Sequence, residues 1–229
     1  MISSFLSRTF ATAGLALGLA FSLSVPSQAV EERDAQKLVD STYYAYLDLT
    51  EGENGATIRS LMKDARAVMI FPGVGKGGLI LAAEGGSGLL FARGTDGSWS
   101  YPAFYRMRSV SFGLQAGGQK TKIILVIMND SALTSILEGK IKLGADASIA
   151  VISDGVDGEL STNTARQDIY YYAQTDGGLF AGISIEGSDI STRKKHNRAY
   201  YDASHSPADI VIRGRARNPG ADRLRGKLP

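Results

Sequence analysis

The sequence predicts an α+β fold in which a strongly curved, mainly antiparallel sheet or small β-barrel is flanked by N- and C-terminal helices. Three observations predict this fold. Segments with helical spacing of apolar residues occur towards both ends of the chain, and short strand-like segments fill the middle. No repeated strand–helix–strand units are visible, so neighbouring strands should be antiparallel. The 27 glycines among 229 residues are concentrated between Gly73 and Gly187, which indicates tight turns and strong curvature.

The first 29 residues are typical of a secretory signal peptide. Arg8 supplies a positive n-region, residues 11–23 form a short apolar h-region, and Ser27-Gln28-Ala29 gives a small-x-small cleavage site. The apolar run is shorter than the about 20 residues of a membrane span. A retained N-terminal anchor is the alternative. We therefore expect a mature chain that begins at Val30 and lies in the periplasm or outside the cell, either free or peripherally attached to a membrane.

Two helices are predicted at the start of the mature chain. Residues 30–49 have apolar side chains close to helical spacing, and their early acidic residues suit the positive end of the helix dipole. Residues 56–65 place Ile58, Leu61 and Met62 on one face of a second helix. The glycine-containing segment between the two, residues 51–55, is the predicted loop.

The middle of the chain changes to short strand-like segments. Val68 to Phe71 should form a strand that Pro72 ends. Asp96-Gly97 predicts a hairpin turn, because glycine accepts the positive φ that such a turn needs. The other predicted strands are residues 79–83, 88–93, 99–107, 111–116, 122–128, 140–152 and 169–174.

Helices and a basic tail are predicted towards the C-terminal end. Ser131–Leu137 should be a short helix with Ser131 as its N-cap, and a helix over Thr192–Asp202 is followed by a shorter one that Ser206-Pro207 opens. The last residues are rich in Arg, Gly and Pro, which predicts fraying. The sequence thus indicates one domain over residues 30–212 and a basic, flexible tail over residues 213–229.

Residues 178–190 are the most informative stretch of the chain. Apolar and small side chains alternate there as in a half-buried strand, but Gly178, Gly182 and Gly187 interrupt the run. Glycine weakens an ordinary strand by about 0.5–1 kcal/mol relative to alanine, so each position needs a local reason. A bulge, a barrel corner or the close approach of another backbone would supply one.

This stretch, with the tyrosines at 170–172 before it and Arg193, Asn197, Tyr200 and Tyr201 after it, resembles the signature of the SYLF family. Further ordered blocks extend the resemblance over residues 39–201; they are residues 64–72 with 76–78, residues 99–103 with 111–117, and residues 143–147. The resemblance implies a lipid-binding or actin-binding module and no enzyme. In one loop, acidic residues of the stretch 154–159 stand where many members carry Gly-Pro-Val-Gly-Arg, which removes the basic residue that an anion contact there would use.

Sequence patterns for catalysis, metal ions and nucleotides are weak. Residues 73–78 match G-x-G-x-x-G, but a strand-like segment follows where a nucleotide site needs a helix. Ser87 lacks the second glycine of a nucleophile elbow. His196 and His205 are the only histidines, match no zinc spacing and are expected on the surface, and the chain has no cysteine. We expect no enzyme activity, no metal site and no cofactor.

The basic helix near residue 195 is the candidate binding element. From Arg193 onward the chain has ten basic and three acidic residues, whereas residues 30–192 have 14 basic and 20 acidic ones. Basic groups beside tyrosines suit a membrane interface with anionic lipid. The alternative is an ordinary helix with its tyrosines packed on the sheet and its charges in water. The candidate lipid-binding residues are Lys76, Arg193, Lys194, Lys195, Arg198, Tyr200 and Tyr201.

These observations and the resemblance together predict an exported, non-enzymatic lipid-binding module that recognises anionic phospholipid headgroups at a membrane surface. The alternative is an envelope structural or interaction protein that meets a protein partner through its glycine-rich surface. Nucleic acid is not expected as a partner, because export separates the chain from it and because basic and aromatic residues do not interleave along the strands.

Overall fold

The computed structural model describes residues 27–77, 82–111, 120–139, 141–152, 167–175 and 184–229. Most of the predicted signal peptide, the acidic loop at 154–159, the strand at 111–116 beyond its first residue, and Gly178 and Gly182 of the signature stretch lie outside the described residues.

Helices lie towards both ends of the chain, with strands between them. The helices are α1 Ser27–Glu51, α2 Gly55–Asp64, α3 Asp130–Leu137, α4 Lys194–Tyr201, α5 Pro207–Val211 and α6 Asp222–Arg225, with a 3-10 turn at Pro219–Ala221. The strands are β1 Ala67–Gly77, β2 Ala82–Ala92, β3 Ala103–Ser111, β4 Lys120–Ile127, β5 Ile141–Lys142, β6 Ile149–Val151, β7 Ile169–Thr175 and β8 Asp189–Thr192.

The eight strands form one curled half-barrel sheet in the order β5-β8-β3-β2-β1-β4-β7-β6. All the pairs are antiparallel except β6 with β7, which is parallel. The α+β class and the strongly curved, mainly antiparallel sheet predicted from the sequence are therefore confirmed. Strand β3 lies between β2 and β8. Because helix α4 follows β8 in the chain, α4 begins beside β3.

Both faces of the sheet are buried, because side chains alternate between two hydrophobic clusters along each central strand. In β4, Ile123 and Leu125 belong to one cluster, and Ile124 and Val126 to the other. The three consecutive tyrosines of β7 follow the same alternation: Tyr171 lies on the first face and its two neighbours on the second. The apolar run of β4 is thus explained by a sheet with helices on both sides.

Different helices cover the two faces. Apolar residues of α1, α2, α4 and the C-terminal segment pack on one face, which we call the α1 face. Helices α3 and α5 pack on the opposite face. The two predicted N-terminal helices are confirmed, and α1 extends from Ser27 to Glu51. The predicted cleavage site after Ala29 therefore lies within the first turn of α1.

Several local predictions need correction. Pro72 does not end β1, since the pairing of β1 with both neighbours shifts register between Ile70 and Gly75 and the strand continues to Gly77. A bulge of this kind tolerates a residue without a backbone N–H. Helix α3 is capped by Asn129, whose side chain accepts a hydrogen bond from the Ala132 N–H, and not by Ser131.

Two longer predicted strands are shorter or divided in the structure. The segment 140–152 holds the short strands β5 and β6 with a turn between them. Within the described part of the signature stretch, β8 begins only at Asp189, after a turn at Gly187 with a φ of +77°. That positive φ is the local reason for this glycine. The predicted turn at Asp96-Gly97 is confirmed, with a φ of +81° at Gly97.

The C-terminal tail is ordered, and the prediction that it frays is wrong. After the 3-10 turn and α6, Ala221, Leu224 and Leu228 are buried on the α1 face. The Trp99 Nε1–H and the Arg93 guanidinium donate to the Pro229 carbonyl oxygen, at 2.7 and 3.0 Å. Residues 213–229 are therefore part of the folded body and not a flexible extension.

Candidate functional site

Helix α4 is held against the sheet by polar contacts to the backbone of β3. The Asn197 side-chain oxygen accepts a hydrogen bond from the Phe104 N–H at 2.9 Å, and its amide donates to the Phe104 carbonyl oxygen at 3.3 Å. The Arg193 N–H donates to the same carbonyl oxygen at 2.8 Å. Asn197 is 1% exposed. Because a buried amide needs its hydrogen bonds, this residue fixes the position and rotation of α4.

The opposite side of α4 presents the predicted cationic residues to solvent. Lys194, Lys195 and Arg198 are exposed, whereas Arg193 is half-buried and its guanidinium donates to the Ser87 hydroxyl. The structure therefore places four of the five predicted cationic residues at and after the start of α4. Three of them have charges directed towards water.

Of the two tyrosines at the end of α4, Tyr200 is buried and Tyr201 is half-buried. Tyr200 is 3% exposed, with its ring centroid 5.0 Å from that of Phe104. The Tyr201 hydroxyl donates to the Pro102 carbonyl oxygen at 2.6 Å. Burial raises the pKa of both phenols. These contacts pack both rings against the sheet, and a contact of either tyrosine with lipid headgroups stays a prediction.

Lys76 lies in β1, where its backbone is paired with that of Glu84 in β2, one residue before the strand ends. Its glycine neighbours, Gly75 and Gly77, predict a position on the tip of an open hairpin that connects β1 to β2. The structure places it in the strand next to that connection, and its side chain lies outside what is described. Its lipid contact stays a prediction.

His196 is buried between α4 and α1, which corrects its expected surface position. It is 5% exposed, and its Nδ1 lies 2.8 Å from the Glu31 Oε2. Burial lowers the pKa of His196, and the positive charge of Arg193 lowers it further, while Glu31 raises it. Near neutral pH the imidazole is therefore uncharged. It joins two helices by a contact to a carboxylate.

An open groove of about 220 Å³ runs between the N-terminal turns of α1 and the exposed side of α4. It is lined by Gln28, Glu31, Lys195, Arg198 and Ala199. The Gln28 side chain donates to Asp202 at 2.7 Å and closes one end of the α1–α4 contact. Two of the candidate cationic residues, Lys195 and Arg198, thus border this groove, where small polar groups can reach them.

Sequence reasoning missed Arg106, and it considered Ser87 only as a catalytic nucleophile. Arg106 lies opposite Ser87 of β2 and Ser191 of β8 in the pairing register, next to the start of α4. The sequence contains a signal for Arg106, because this charged residue lies between Tyr105 and Met107, which are both buried. Only the strand order, which sequence spacing does not give, shows that β2 and β8 flank it.

The described parts of the chain contain neither a cluster of metal-binding side chains nor a membrane-spanning helix. No group of three or more His, Asp or Glu side chains there is placed to hold a metal ion. None of the helices described is both long enough and apolar enough to cross a membrane.

Comparison with known proteins gives one family. The family model described as "Las17-binding protein actin regulator" (Ysc84) matches residues 108–228. Protein YSC84 of Saccharomyces cerevisiae is 29% identical over 164 residues, which are 70% of this chain and 35% of that protein. LAS seventeen-binding protein 3 of the same species is 30% identical over 165 residues, with the same coverage.

A mammalian relative gives a similar match. SH3 domain-containing YSC84-like protein 1 of Mus musculus is 32% identical over 140 residues, which are 60% of this chain and 41% of that protein. The chain spans between about a third and two fifths of the length of these curated relatives.

Proposed function

Since this chain belongs to the Ysc84 (SYLF) family, as its sequence blocks predicted, we propose that it is a non-enzymatic module that binds anionic phospholipid headgroups at a membrane surface. The family is linked to actin regulation and lipid binding. The choice of lipid for this chain rests on its own residues.

The observation that carries the proposal is the two-sided character of α4. Its inner side is fixed by Asn197 and Tyr200, and its outer side presents Lys194, Lys195 and Arg198 to solvent. A basic group near an anionic membrane contributes about 1 kcal/mol to binding. Because the helix is already held in place, binding orders only side chains and the entropy cost is small.

The proposal includes export, which rests on the n-region, h-region and cleavage site in residues 1–29. Removal of that segment after Ala29 would leave Glu31 and the α1–α4 contact in the mature chain, but not Gln28. The exposed cations of α4 would then be available to membrane lipids on the far side of the inner membrane.

A protein partner is the second candidate, because the family's description names the binding of a protein. The described glycines of β2 do not favour the predicted glycine-rich contact surface. A Cβ at Gly88 would lie 2.5 Å from the Phe71 ring, and one at Gly86 would lie 2.8 Å from the Gly73 carbonyl oxygen. These glycines are explained by close packing of β1 on β2.

Liposome co-sedimentation tests the lipid function. We expect the protein to bind anionic vesicles, and the double variant Lys194→Glu with Lys195→Glu to bind them about tenfold more weakly or worse, at about 1 kcal/mol per charge. Binding should also weaken with salt, because the Debye length falls from about 10 Å at about 0.1 M to about 3 Å at about 1 M.

The matched control reverses two exposed lysines elsewhere, Lys63 and Lys142, which gives the same change in net charge. It should bind nearly as the wild type does. Equal weakening in both double variants would show that only net charge matters. Unchanged binding of the α4 variant at low salt would remove α4 from the site, and a wild type that binds no vesicles would favour a protein partner.

A further inference from the structure

A second cationic cluster lies on the α1 face, beside the first turn of α4. It consists of Arg106 in β3, Arg193 before α4 and Ser87 in β2. The Arg193 guanidinium donates to the Ser87 hydroxyl, and Arg106 lies directly opposite Ser87 in the strand register. All three side chains are half-buried, so the cluster is partly enclosed and still open to solvent.

The Arg106 guanidinium is incompletely paired, and the Arg193 guanidinium lies in its positive field. The Arg106 Nε is buried and has no hydrogen-bond partner among the described residues. Burial, and next the positive charge of Arg106, lower the pKa of Arg193. A buried donor without a partner and two like charges side by side both cost free energy. An anion between the two guanidinium groups would relieve both costs.

Nearby carboxylates do not supply that anion in the described structure. Glu31 and Asp34 of α1 act on Arg193 through their charge, but the ion pair of Glu31 is with His196 at 2.8 Å, and that of Asp34 is with Lys37 at 3.5 Å. Within the described ranges, neither carboxylate lies within 4 Å of either guanidinium as an ion pair. The cluster is therefore available to a ligand.

We propose that Arg106, Arg193 and Ser87 form a binding site for a phosphate monoester. A monoester has three terminal oxygens and a charge between −1 and −2, so it can accept from two guanidinium forks and a hydroxyl together. A phosphodiester has two terminal oxygens and one charge, and uses this donor set less well. Guanidinium forks match phosphate geometry in a way that a lysine ammonium does not.

This site deepens the proposed function and rests on it for the source of the phosphate, a lipid headgroup. Lys194 and Lys195 would attract any anionic surface, while the arginine cluster would select the headgroup. The two roles are separable, because the lysines are exposed and the cluster is half-buried.

The test compares vesicles that contain phosphatidic acid, a monoester, with vesicles that contain phosphatidylglycerol, a diester, at matched surface potential. We expect the wild type to prefer the monoester about tenfold, the effect of one charged hydrogen-bonded contact. Arg106→Gln should abolish the preference, and Arg106→Lys, which keeps the charge but loses the fork, should remove most of it.

Arg108→Gln is the matched control. It removes the same charge from an exposed residue two positions further along β3, and should leave the preference unchanged. A thermal melt checks that each variant folds. Should Arg106→Gln fail to fold, Arg106→Lys and NMR shifts of the wild type with glycerol phosphate decide the question.

The outcomes separate the two proposals. Vesicle binding without a monoester preference, or a preference that both Arg106 variants keep, would overturn the arginine site and leave the membrane function standing. Shifts at Ser87 and Arg106 with glycerol phosphate, without binding to any vesicle, would support the site with a soluble ligand and overturn the membrane function. No vesicle binding and no shifts would overturn both.

Discussion

Two basic segments of this chain have opposite roles. Helix α4 and the C-terminal segment 213–229 are both rich in arginine or lysine, yet the first presents its cations to solvent and the second uses them in the fold. Arg225 donates to the Trp99 carbonyl oxygen at 2.6 Å, and the Arg223 guanidinium lies 3.9 Å from the centre of the Tyr43 ring. In α4, the described structure gives Lys194 and Lys195 no ion pair.

The difference teaches that a count of positive charges does not identify a binding surface. A cationic side chain is available to a ligand under two conditions. No other group of the protein pairs with it, and other residues hold its helix in place. Four arginines of the C-terminal segment fail the first condition, because Arg213 and Arg215 pair with Asp209, Arg225 with the Trp99 carbonyl oxygen, and Arg223 with the Tyr43 ring. Helix α4 meets both.

Truncation of the C-terminal segment has the largest expected effect, and it tests whether this segment is part of the fold. Deleting residues 218–229 removes Leu224 and Leu228 from the α1 face, and each buried leucine contributes about 2 kcal/mol. We expect the free energy of unfolding to fall by about 4 kcal/mol or more, measured by chemical denaturation.

Single substitutions provide the controls for this truncation. Leu224→Ala should cost about 2–4 kcal/mol. Ile212→Ala, at a side chain that is 55% exposed, should change stability by less than about 0.5 kcal/mol. A truncated protein that unfolds at the same denaturant concentration as the full chain would show that the tail is a flexible extension after all.

A smaller effect sharpens the contrast between the two segments. Arg225→Ala and Lys195→Ala remove the same charge, but Arg225 holds a carbonyl oxygen and also lies 4.6 Å above the Tyr101 ring. We expect Arg225→Ala to lower stability by about 1–2 kcal/mol, and Lys195→Ala to change it by less than about 0.5 kcal/mol. Vesicle binding should respond in the opposite order. Equal losses of stability in Arg225→Ala and Lys195→Ala would show that Arg225 contributes no more to the fold than Lys195 does.

Most of the fold could be predicted because its signals are local. Helical periodicity gave α1 and α2, the apolar run gave β4, and the Ser206-Pro207 pair gave the start of α5, where Ser206 and Asp209 form a capping box. The order of the strands depends on contacts between distant residues, and periodicity carries no information about it.

The same limit explains the errors at the candidate site. The C-terminal segment has few apolar residues, and Leu224 and Leu228 are buried in a cluster that includes Trp99, which lies far away in sequence. The burial of Asn197 depends on the Phe104 backbone in β3, and that of His196 on α1. A polar residue on a helix looks exposed until its partner is known.

The smallest effect concerns the buried contact that joins α4 to α1. Because burial lowers the pKa of His196 in the folded chain, the unfolded chain, with a pKa of about 6.5, binds more protons in the window below that value. The stability contributed by the neutral imidazole is present above about pH 6.5 and is lost as the pH falls towards the folded pKa. The charged or titratable groups that act on it are Arg193, Glu31, Asp34 and Arg106.

We therefore expect the melting temperature of the wild type to fall between about pH 7 and about pH 5, and this part of the fall to be missing in His196→Gln, which keeps an amide donor for Glu31. His205→Gln, at the other histidine, should keep the wild-type slope. Carboxylates whose pKa is lowered in the fold are protonated only at lower pH, so the stability that they contribute is lost outside this window. Asp168 is an example, and the hydrogen bond that Asn129 donates to it is the main cause of its lowered pKa. Parallel pH profiles for the wild type and His196→Gln would show that folding leaves the pKa of His196 unchanged, and a wild-type profile that rises relative to His196→Gln towards about pH 5 would show that Glu31 keeps the imidazole protonated in the fold. The α1–α4 contact would then be a charged ion pair, and protonation would hold the binding helix in place instead of loosening it.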